Sequence, residues 1–494
     1  MLSEVKQQFG LKSENSRKRA DSVLNMLKGA RVTVLGLGRF GGGVSLVRFL
    51  AEAGARVHVS DRAPAETLQS SVEAVAHLAG ISFRLGAHSI EDVTNCDILF
   101  VNPAIPPHSE LVVEARKRGV PIGTEIGLFL HLCPAPVIAV TGTSGKSTTC
   151  ALTHAVLRAW GEARSLLGGN IGCSLLGEVG TIGAGDLVVL ELSSFQLAYL
   201  NYDWLNPAGA SVACITNLHD DHRNWHGSFD RYAESKRTIF KKAKAVKQSW
   251  AVVPGDDGVL LPWARRSGRS IMSVGCLPPG CSRGVVAKAP RAYLVGNESE
   301  EALFEFGEVP PGVDLRSAVF AAALSHLAGA PPEAIRTGLS TFAGLPHRFQ
   351  TVGTIRGVTF IDSSVATTPK EAAHCLRSCT GVVVLLAGGA AEKGLPLYPL
   401  IEEAKRRCRS AVFFGRAAPL MAEAFRREAP HLPFKVAETL TDAVRAAYEA
   451  ATSGDTVLLA PGCPSFDAFV NFAARGRAFQ EAVKQLISAA GGSA

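Results

Sequence analysis

A lysine and two hydroxyl side chains follow a glycine-containing turn in the middle of the chain. Residues 137–149 read VIAVTGTSGKSTT, an apolar run and then a turn that leads into Lys146, Ser147 and Thr148. In such a turn the backbone N–H groups cradle a β-phosphate, the lysine reaches the β- and γ-phosphates, and a hydroxyl binds Mg²⁺. The common spacing GxxxxGKS/T is not met, because its first glycine would fall on Val140. The sequence therefore predicts a shortened phosphate loop between a strand and a helix.

Carboxylate and imidazole side chains follow two later apolar runs. Glu191 ends an apolar run and precedes Ser193 and Ser194, either of which would start a helix. An acid at the carboxyl end of a strand beside a phosphate loop suits Mg²⁺, although a solvated strand end also explains Glu191. Residues 217–226 hold three histidines and two aspartates without the HExxH spacing of zinc proteases. An oxygen-rich Mg²⁺ or Mn²⁺ site with one imidazole, His222, fits better, and a polar loop describes most of the other residues.

A second glycine loop lies near the start of the chain. Gly36, Gly38 and Gly41 form a GxGxxG pattern after an apolar run, and Asp61 ends the next run. Glycines let the backbone approach a diphosphate, and the helix N-terminus adds N–H donors. Taken alone, the pattern indicates an NAD-dependent dehydrogenase, but the same geometry serves any diphosphate, including a UDP-sugar. A tight strand–helix turn without a ligand is the remaining interpretation.

The elements that must position these residues follow an alternating pattern. Short apolar runs alternate with helical patterns almost throughout, which is typical of α/β proteins with parallel sheets. At roughly 150 residues per domain, the 494 residues predict about three domains. We place them at residues 1–124, 125–345 and 346–494, with residues 1–28 as an extension of unknown role. Strands are expected at 31–35, 56–60, 98–101, 120–122, 137–140, 187–192, 211–216, 250–253, 358–361, 382–386, 411–414 and 456–459, and a small β insertion at about 275–308.

Composition excludes several classes of protein. The chain is 47% hydrophobic with a net charge of +7, its basic residues are scattered, and only 7% of its residues are aromatic, so a nucleic-acid surface is not indicated. The sequence contains no run of 18 apolar residues, so no membrane-spanning helix is predicted. The polar N-terminal residues do not resemble a secretory signal. The 11 cysteines are odd in number and form no CxxC pair, which indicates reduced thiols in the cytoplasm.

Further motifs, taken with the phosphate loop, resemble the Mur ligase family, the ATP-dependent enzymes that form amide bonds in peptidoglycan precursor synthesis. The resemblance covers nearly the whole chain in order. Its motifs are TGTSGKST at 141–148, GNIG at 169–172, ELSSFQL at 191–197, the loop 217–222, YAESK at 232–236 and LPHRF at 345–349. The family implies three α/β domains: a Rossmann-like N-terminal domain, a central P-loop-type ATPase domain with a mostly parallel sheet, and a Rossmann-like C-terminal domain.

The C-terminal motifs resemble those of family members that add D-glutamate. They are Asp362-Ser363, the glycines of 387–389 with Lys393, and residues 461–467 leading to Phe472. The resemblance implies that the chain adds D-glutamate to UDP-N-acetylmuramoyl-L-alanine through an acyl phosphate. It also implies a cytoplasmic monomer that uses ATP with Mg²⁺ or Mn²⁺ and binds neither nucleic acid nor membrane.

The family assigns roles to the matched residues. ATP binding falls to Gly142, Thr143, Ser144, Gly145, Lys146, Ser147, Thr148, Arg348 and Asp362. Metal binding falls to Ser147, Glu191, His222 and Lys236, and catalysis to Lys146, His222 and Lys236. Substrate binding falls to Gly36, Gly38, Gly41, Asp61, Arg62, Asn170, Ser193, Gln196, Thr367, Lys393, Ser465 and Phe472. Lys236 matches a lysine that is carbamylated in the family, and a carbamate offers the anionic oxygens that Mg²⁺ prefers.

Three departures and three rival functions accompany the resemblance. The family's adenine-binding residues are replaced by Val313, Asp314 and Ser317, and the motif at 362–368 is one residue longer and lacks its lysine. The Pro-Gly stretch of the first domain reads NPA at 102–104. A sibling Mur or folate-type ligase that adds another amino acid is one rival. A non-catalytic UDP-sugar or nucleotide sensor is another, and an NAD-dependent dehydrogenase, the third, leaves the phosphate loop unexplained.

Overall fold

A computed structural model describes residues 13–39, 41–172, 174–207, 209–241, 248–296, 298–310, 312–390 and 396–489. Of the predicted site residues, Lys393 lies outside these ranges. The chain divides into two compact units, unit 1 over residues 1–342 and unit 2 over residues 343–494. Within the described ranges, every helix is too short or too polar to cross a bilayer.

The first sheet of unit 1 is parallel and carries the first glycine loop. Among the described residues its five strands are β1 (Arg31–Leu35), β2 (Arg56–Asp61), β3 (Ile81–Leu85), β4 (Ile98–Val101) and β5 (Ile122–Gly123). They lie in the order β3-β2-β1-β4-β5. The order reverses next to β1, so the carboxyl end of β1, where the glycine loop begins, lies at the topological switch point where such sheets bind ligands.

The second sheet of unit 1 carries the phosphate loop. Its nine described strands are β6 (Val137–Thr141), β7 (Ser165–Gly169), β8 (Leu187–Glu191), β9 (Val212–Ile215), β10 (Trp250–Pro254), β11 (Ser270–Val274), β12 (Arg283–Lys288), β13 (Arg291–Gly296) and β14 (Glu300–Glu305). They lie in the order β14-β13-β12-β11-β10-β9-β6-β8-β7. Strand β13 is antiparallel to both of its neighbours, and the other described pairings are parallel. The expected small β insertion is therefore an extension of this sheet.

Helices cover the two sheets of unit 1. They are α1 (Ser13–Leu27), α2 (Gly42–Glu52), α3 (Ala65–Glu73), α4 (Ile90–Thr94), α5 (Glu110–Lys117), α6 (Glu125–Leu132), α7 (Lys146–Trp160), α8 (Ser194–Leu200), α9 (Arg223–His226), α10 (Phe229–Arg237), α11 (Leu260–Arg266), α12 (Leu315–Leu327) and α13 (Pro332–Ser340). Side chains start several of them by accepting backbone N–H groups: Thr124 for α6, Ser228 for α10 and Asp314 for α12.

The apolar core of unit 1 runs continuously from the first sheet into the second. One buried cluster contains Val34 of β1, Phe129 of α6 and Leu190 of β8. The predicted domain boundary after residue 124 therefore lies in a region that shares one core. A separate cluster on the other face of the second sheet packs α7, α12 and α13 against strands such as β6 and β9.

Unit 2 is built on a third sheet. Its described strands are β15 (Gln350–Ile355), β16 (Val358–Asp362), β17 (Val383–Gly388), β18 (Cys408–Phe414), β19 (Phe434–Val436) and β20 (Thr456–Gly462). The order is β15-β16-β20-β17-β18-β19, and the described pairings are parallel apart from β15 with β16. The three sheets agree with the predicted α/β class.

Helices lie on both faces of the third sheet. They are α14 (Pro369–Ser378), α15 (Tyr398–Arg407), α16 (Ala418–Glu428), α17 (Leu440–Ala450) and α18 (Phe472–Ala489). One apolar cluster packs α14, α15 and α16 on the sheet, and a second packs α17 and α18 on its other side. The parallel strands β16, β17 and β20 end at the same edge, so the loops that follow them lie side by side.

Candidate active site

The phosphate loop joins β6 to α7 as the sequence predicts. Gly142 has a φ of 154°, and Gly145 has a φ of 78° where it starts α7, so both occupy backbone regions that L-residues rarely adopt. A Cβ added at Gly142 would lie 2.0 Å from Thr216 Oγ1. The Thr216 hydroxyl donates to the carbonyl oxygen of Ser144 at 2.7 Å, so the end of β9 packs directly against the loop.

Asn217, which follows β9, closes the phosphate loop. Its Oδ1 accepts the backbone N–H groups of Thr143 and Ser144 at 3.0 and 2.9 Å. Its Nδ2 donates to the Ser144 carbonyl oxygen at 3.1 Å. From the sequence, Asn217 is only one member of the family motif at 217–222. Its contact with Thr143 could not be predicted from local pattern, because the two residues are 74 positions apart. One neutral side chain therefore holds two donors of the loop in a common direction.

Two predicted catalytic lysines meet at this loop. Lys146 Nζ donates to the carbonyl oxygen of Thr143 at 3.2 Å, and Lys236 Nζ donates to that of Gly142 at 2.7 Å. Lys236 lies on α10 and is only 2% exposed. Burial lowers the pKa of Lys236 to about 6, and the positive charge of Lys146 lowers it further. Lys236 is therefore held at the loop largely as a neutral amine near pH 7.

Glu191, at the end of β8, carries one oxygen that could accept a cation. Its side chain is 2% exposed, and its Oε1 accepts Asn170 Nδ2 at 2.9 Å. Its Oε2 is buried and has no hydrogen-bond partner among the described residues. The negative charge of Glu191 raises the pKa of Lys236 against the larger effect of burial, so the two groups interact electrostatically. A buried carboxylate oxygen in this position fits a divalent cation beside the loop.

His222 starts the short helix α9 with a left-handed φ of 51°. Its ring packs edge-on to Phe195 at 4.9 Å. Burial lowers the pKa of His222; the Asp221 carboxylate opposes this, whereas the charges of Lys236 and Lys146 add to it. The imidazole is thus biased towards the neutral form that binds metals.

Across the described residues, no group of three or more histidine, cysteine or acidic side chains is arranged to hold a metal ion. Any cation at this site therefore needs oxygens beyond those of such side chains. Of the residues predicted to bind metal, Ser147 offers a hydroxyl oxygen at the start of α7.

Ser193 and Gln196 are engaged with each other at the start of α8. Ser193 Oγ accepts the backbone N–H of Gln196 at 3.2 Å, and Gln196 Oε1 accepts that of Ser193 at 2.9 Å. This capping box confirms Ser193 as the residue that starts the helix. Their role towards substrate stays a prediction.

The first glycine loop is closed by Asp61. The carboxylate oxygen Oδ2 accepts the backbone N–H groups of Leu37 and Gly38 at 2.8 and 3.1 Å. A Cβ added at Gly36 would lie 2.7 Å from Asn102 Cβ, so this glycine permits a close approach of the loop after β4. Gly41 precedes α2 with a φ of 87°. The adjacent Arg62 is exposed.

The end of β16 places Asp362 in a buried network of unit 2. Asp362 has no exposed surface, and its Oδ2 contacts His347 Nδ1 at 2.7 Å and accepts Gln480 Nε2 at 2.9 Å. Arg348, next to His347, is exposed. Asp362 thus holds the loop that carries Arg348, and direct contact of either residue with a nucleotide stays a prediction.

The residues predicted to bind the amino acid follow strands β16 and β20. Thr367 donates its backbone N–H to Glu371 Oε2 at 3.0 Å, and Ser465 is 2% exposed. Phe472 starts α18 and is 38% exposed. Lys393 lies outside the described residues.

Asp314 and Ser317, which depart from the family's adenine-binding motif, lie beside the phosphate loop. Asp314 starts α12 by accepting the N–H of Ser317 at 3.2 Å, and a Cβ added at Gly145 would lie 3.4 Å from Ser317 Oγ. Arg316 donates to the carbonyl oxygen of Thr216 at 3.4 Å. The sequence did not single out Arg316, which adds a positive charge near the loop.

Sequence comparisons identify the family. A profile described as "Mur ligase MurD-like, N-terminal domain" matches residues 30–124, "Mur ligase middle domain" matches 140–278, and "Mur ligase, glutamate ligase domain" matches 347–463. The UDP-N-acetylmuramoylalanine–D-glutamate ligase of Symbiobacterium thermophilum is 36% identical over 459 residues, which cover 92% of this chain and 98% of the relative. The chain belongs to the Mur ligase family.

A second relative of this Mur ligase matches over a similar share of both chains. The enzyme of the same name from Roseiflexus sp. is 36% identical over 482 residues, covering 93% of the chain and 99% of the relative. Among solved structures, UDP-N-acetylmuramate-alanine ligase MurC of Thermotoga maritima is similar with a TM-score of 0.56 and 17% identity. The superposed region covers 92% of this chain and 100% of the MurC chain, which supports the three-domain α/β fold.

Proposed function

We propose that this Mur ligase joins the amine of D-glutamate to the carboxylate of UDP-N-acetylmuramoyl-L-alanine, with hydrolysis of ATP to ADP and phosphate. The observation that carries this substrate choice is the similarity to D-glutamate ligases along almost the full length of both chains. The phosphate loop and its two lysines supply the chemistry that the reaction requires.

The reaction needs two steps, because a carboxylate has no good leaving group. First, a carboxylate oxygen of UDP-N-acetylmuramoyl-L-alanine attacks the γ-phosphorus of ATP, which forms an acyl phosphate and releases ADP. Second, the amine of D-glutamate attacks the acyl carbon, inorganic phosphate leaves, and the amine loses a proton. Lys146 stabilises the charge that moves between the phosphate oxygens.

The N-terminus of α7 orients the transferred phosphate, and Asn217 keeps the loop in shape by accepting the N–H groups of Thr143 and Ser144. In this proposal Glu191 and His222 bind Mg²⁺ with the Ser147 hydroxyl. The buried Oε2 of Glu191 and the neutral bias of His222 support that assignment. When bound, the cation neutralises phosphate charge.

A carbamate on Lys236 completes the proposed set of cation ligands. A neutral amine attacks the carbon of CO₂, and loss of one proton leaves an anionic carbamate. The lowered pKa of Lys236, about 6, supports this reaction because it leaves the amine uncharged at neutral pH. Lys236→Ala should be inactive and partly recover with a small carboxylic acid; recovery with an added amine instead would contradict the carbamate.

Phosphate release tests the proposed function. The purified chain with ATP, Mg²⁺ and UDP-N-acetylmuramoyl-L-alanine should release phosphate only when D-glutamate is added, and L-alanine, diamino acids and folates should not replace it. Release with one of those compounds would favour a sibling or folate-type ligase. Nucleotide binding without turnover under all conditions would favour a sensor. A monomer is the predicted state, which sedimentation velocity would check, and the cytoplasm is the predicted compartment.

A further inference from the structure

Arg475 is buried at the edge of the third sheet where strands β16, β17 and β20 end. It lies in the first turn of α18 and has no exposed surface. Its guanidinium donates to the carbonyl oxygens of Ser364 at 2.9 Å, Cys463 at 2.9 Å and Gly388 at 3.3 Å. Its Nε also donates to Ser364 Oγ at 3.1 Å.

These acceptors belong to three different strand–loop junctions. Ser364 follows β16, Gly388 ends β17 and Cys463 follows β20. The junctions after β16 and β20 lead into loops that carry residues predicted to contact the amino acid, Thr367 and Ser465. The planar guanidinium therefore fixes these two loops against the end of β17, although the three segments are far apart in sequence.

Contacts around the guanidinium extend this arrangement. Ser364 Oγ donates to the carbonyl oxygen of Phe472 at 2.7 Å, so the start of α18 is tied to the same point. The N–H of Ala390 donates to the carbonyl oxygen of Pro464 at 2.8 Å, which joins the loop after β17 to the loop after β20. A Cβ added at Gly389 would lie 2.8 Å from Arg475 NH1, so the backbone packs closely on the guanidinium.

A buried guanidinium bonded to neutral oxygens is costly, because its charge loses water without gaining a directly bonded anion. The carboxylates of Asp467 and Asp362 favour its charged form only electrostatically. An apolar side chain would leave the carbonyl oxygens of Ser364, Gly388 and Cys463 without this donor, so the guanidinium is the group that joins the three junctions.

We infer that Arg475 is a positioning residue that sets the geometry of the D-glutamate site by fixing the loops after β16 and β20 against the end of β17. This inference rests on the proposed function. Arg475 acts through these loops and not on the substrate, because its guanidinium already donates to three backbone carbonyl oxygens and to the Ser364 hydroxyl.

Arg475→Lys tests this role, because lysine keeps the charge and loses the planar fork. We expect the KM for D-glutamate to rise at least tenfold, while the KM values for ATP and the UDP-sugar stay within twofold. Hydrogen exchange should become faster at residues 363–368 and 463–471 and stay unchanged in the strands of the third sheet.

Arg269→Lys is the matched control. Arg269 is also buried, and it donates to the carbonyl oxygens of Ala210 at 2.8 Å and Lys241 at 2.6 Å in unit 1. Burial lowers the pKa of both arginines to about 10. The control should lose thermal stability and keep its KM for D-glutamate, which separates positioning from the general effect of losing a buried arginine.

The outcomes are distinguishable. Equal rises in all three KM values, or a fall in stability with an unchanged KM for D-glutamate, would overturn the role of Arg475. If Arg475→Lys does not fold, Ser364→Ala removes one acceptor and the tie to Phe472, and should raise the KM for D-glutamate at least threefold; an unchanged value would overturn the role. A wild-type chain without D-glutamate-dependent phosphate release would refute the proposed function, and hydrogen exchange at residues 363–368 and 463–471 would still decide whether Arg475 fixes these two loops.

Discussion

The two glycine loops of unit 1 are closed by the same geometry and by side chains of different charge. In each loop, one side-chain oxygen accepts two successive backbone N–H groups, from Asp61 in the first loop and from Asn217 in the phosphate loop. Each loop ends in a left-handed glycine, Gly41 or Gly145, that starts a helix. A glycine pattern therefore fixes the shape of a loop but not the charge presented to a ligand.

The difference in charge separates the chemistry of the two loops. A neutral carboxamide at Asn217 leaves the positive charge of Lys146 available to the phosphates of a nucleotide. A carboxylate at Asp61 repels phosphate at the N–H groups that it occupies. Asp61 thus engages the N–H groups of Leu37 and Gly38, and the contacts of Gly36, Gly38 and Gly41 with a UDP-sugar stay a prediction.

The largest expected effect is on the phosphate loop. Lys146→Ala should leave the fold intact and abolish turnover, because the loss of one charge on the transferred phosphate costs about 3 kcal/mol or more of transition-state stabilisation. Phosphate release measures turnover, and circular dichroism measures whether the fold is intact. Lys117→Ala, at an exposed lysine beside Glu114, is the control and should be as active as the wild type. Near-normal turnover by Lys146→Ala would contradict the assignment.

An exchange of the two closing side chains tests the comparison directly. Asn217→Asp gives the phosphate loop a carboxylate, which should raise the KM for ATP at least tenfold, because an unpaired like charge beside a phosphate costs several kcal/mol. Asp61→Asn keeps an acceptor in the first loop and should leave the KM for ATP unchanged. Similar ATP affinities of both variants would show that the charge of the closing group is irrelevant.

The buried amine of Lys236 makes stability depend on pH. Its folded pKa of about 6 lies below the value of about 10.4 in unfolded chains, so between these values the unfolded state binds one more proton. The free energy of unfolding should therefore rise by about 1.4 kcal/mol per pH unit from this group. Urea unfolding at pH 7 and 8 in CO₂-depleted buffer should show that Lys236→Met lacks this increment, whereas Lys117→Met keeps it. Equal slopes for Lys236→Met and the wild type would mean that the amine stays charged.

The smallest effect should be the same in both loops. Gly41→Ala and Gly145→Ala each place a side chain at a left-handed position, with φ values of 87° and 78°. Among the residues that the structure describes, none places an atom within 4 Å of a Cβ added at Gly41, and the nearest atom at Gly145 is 3.4 Å away, so the strain is mainly in the backbone. Each should lower the free energy of unfolding by about 1–2 kcal/mol. Denaturant titration measures both free energies of unfolding. A loss several times larger in one variant than in the other would show that the two glycine positions are not equivalent.

Much of the fold follows from local apolar pattern. The buried run expected at 98–101 is strand β4, and the run expected at 187–192 is β8 with its terminal Glu191. The pattern failed where a strand is half-exposed and interrupted by polar residues, as in Ile81–Leu85, which alternates partly buried and exposed positions. Strand prediction thus works best where both faces of a parallel sheet are covered.

The site was predictable only in part, because its long-range partners depend on strand order. Lys146, Glu191 and Lys236 carry recognisable motifs, and the structure brings them to one loop. The closure by Asn217 and the three junctions held by Arg475 join residues between 12 and 111 positions apart. No periodicity encodes such partners, since they meet only when parallel strands end at a common edge.

The single apolar cluster that spans the first two sheets limits how this chain can be recombined. Helix α6 places Ile126 and Phe129 in the same core as Val34 of the first sheet and Leu190 of the second. Exchange of residues 1–124 alone with a distant relative would cut through that core and expose apolar surface on both parts. Unit 2 packs on clusters made of its own residues. Exchange of unit 2 at residue 343 would therefore keep the buried clusters of both units intact, whereas a cut at residue 124 divides one.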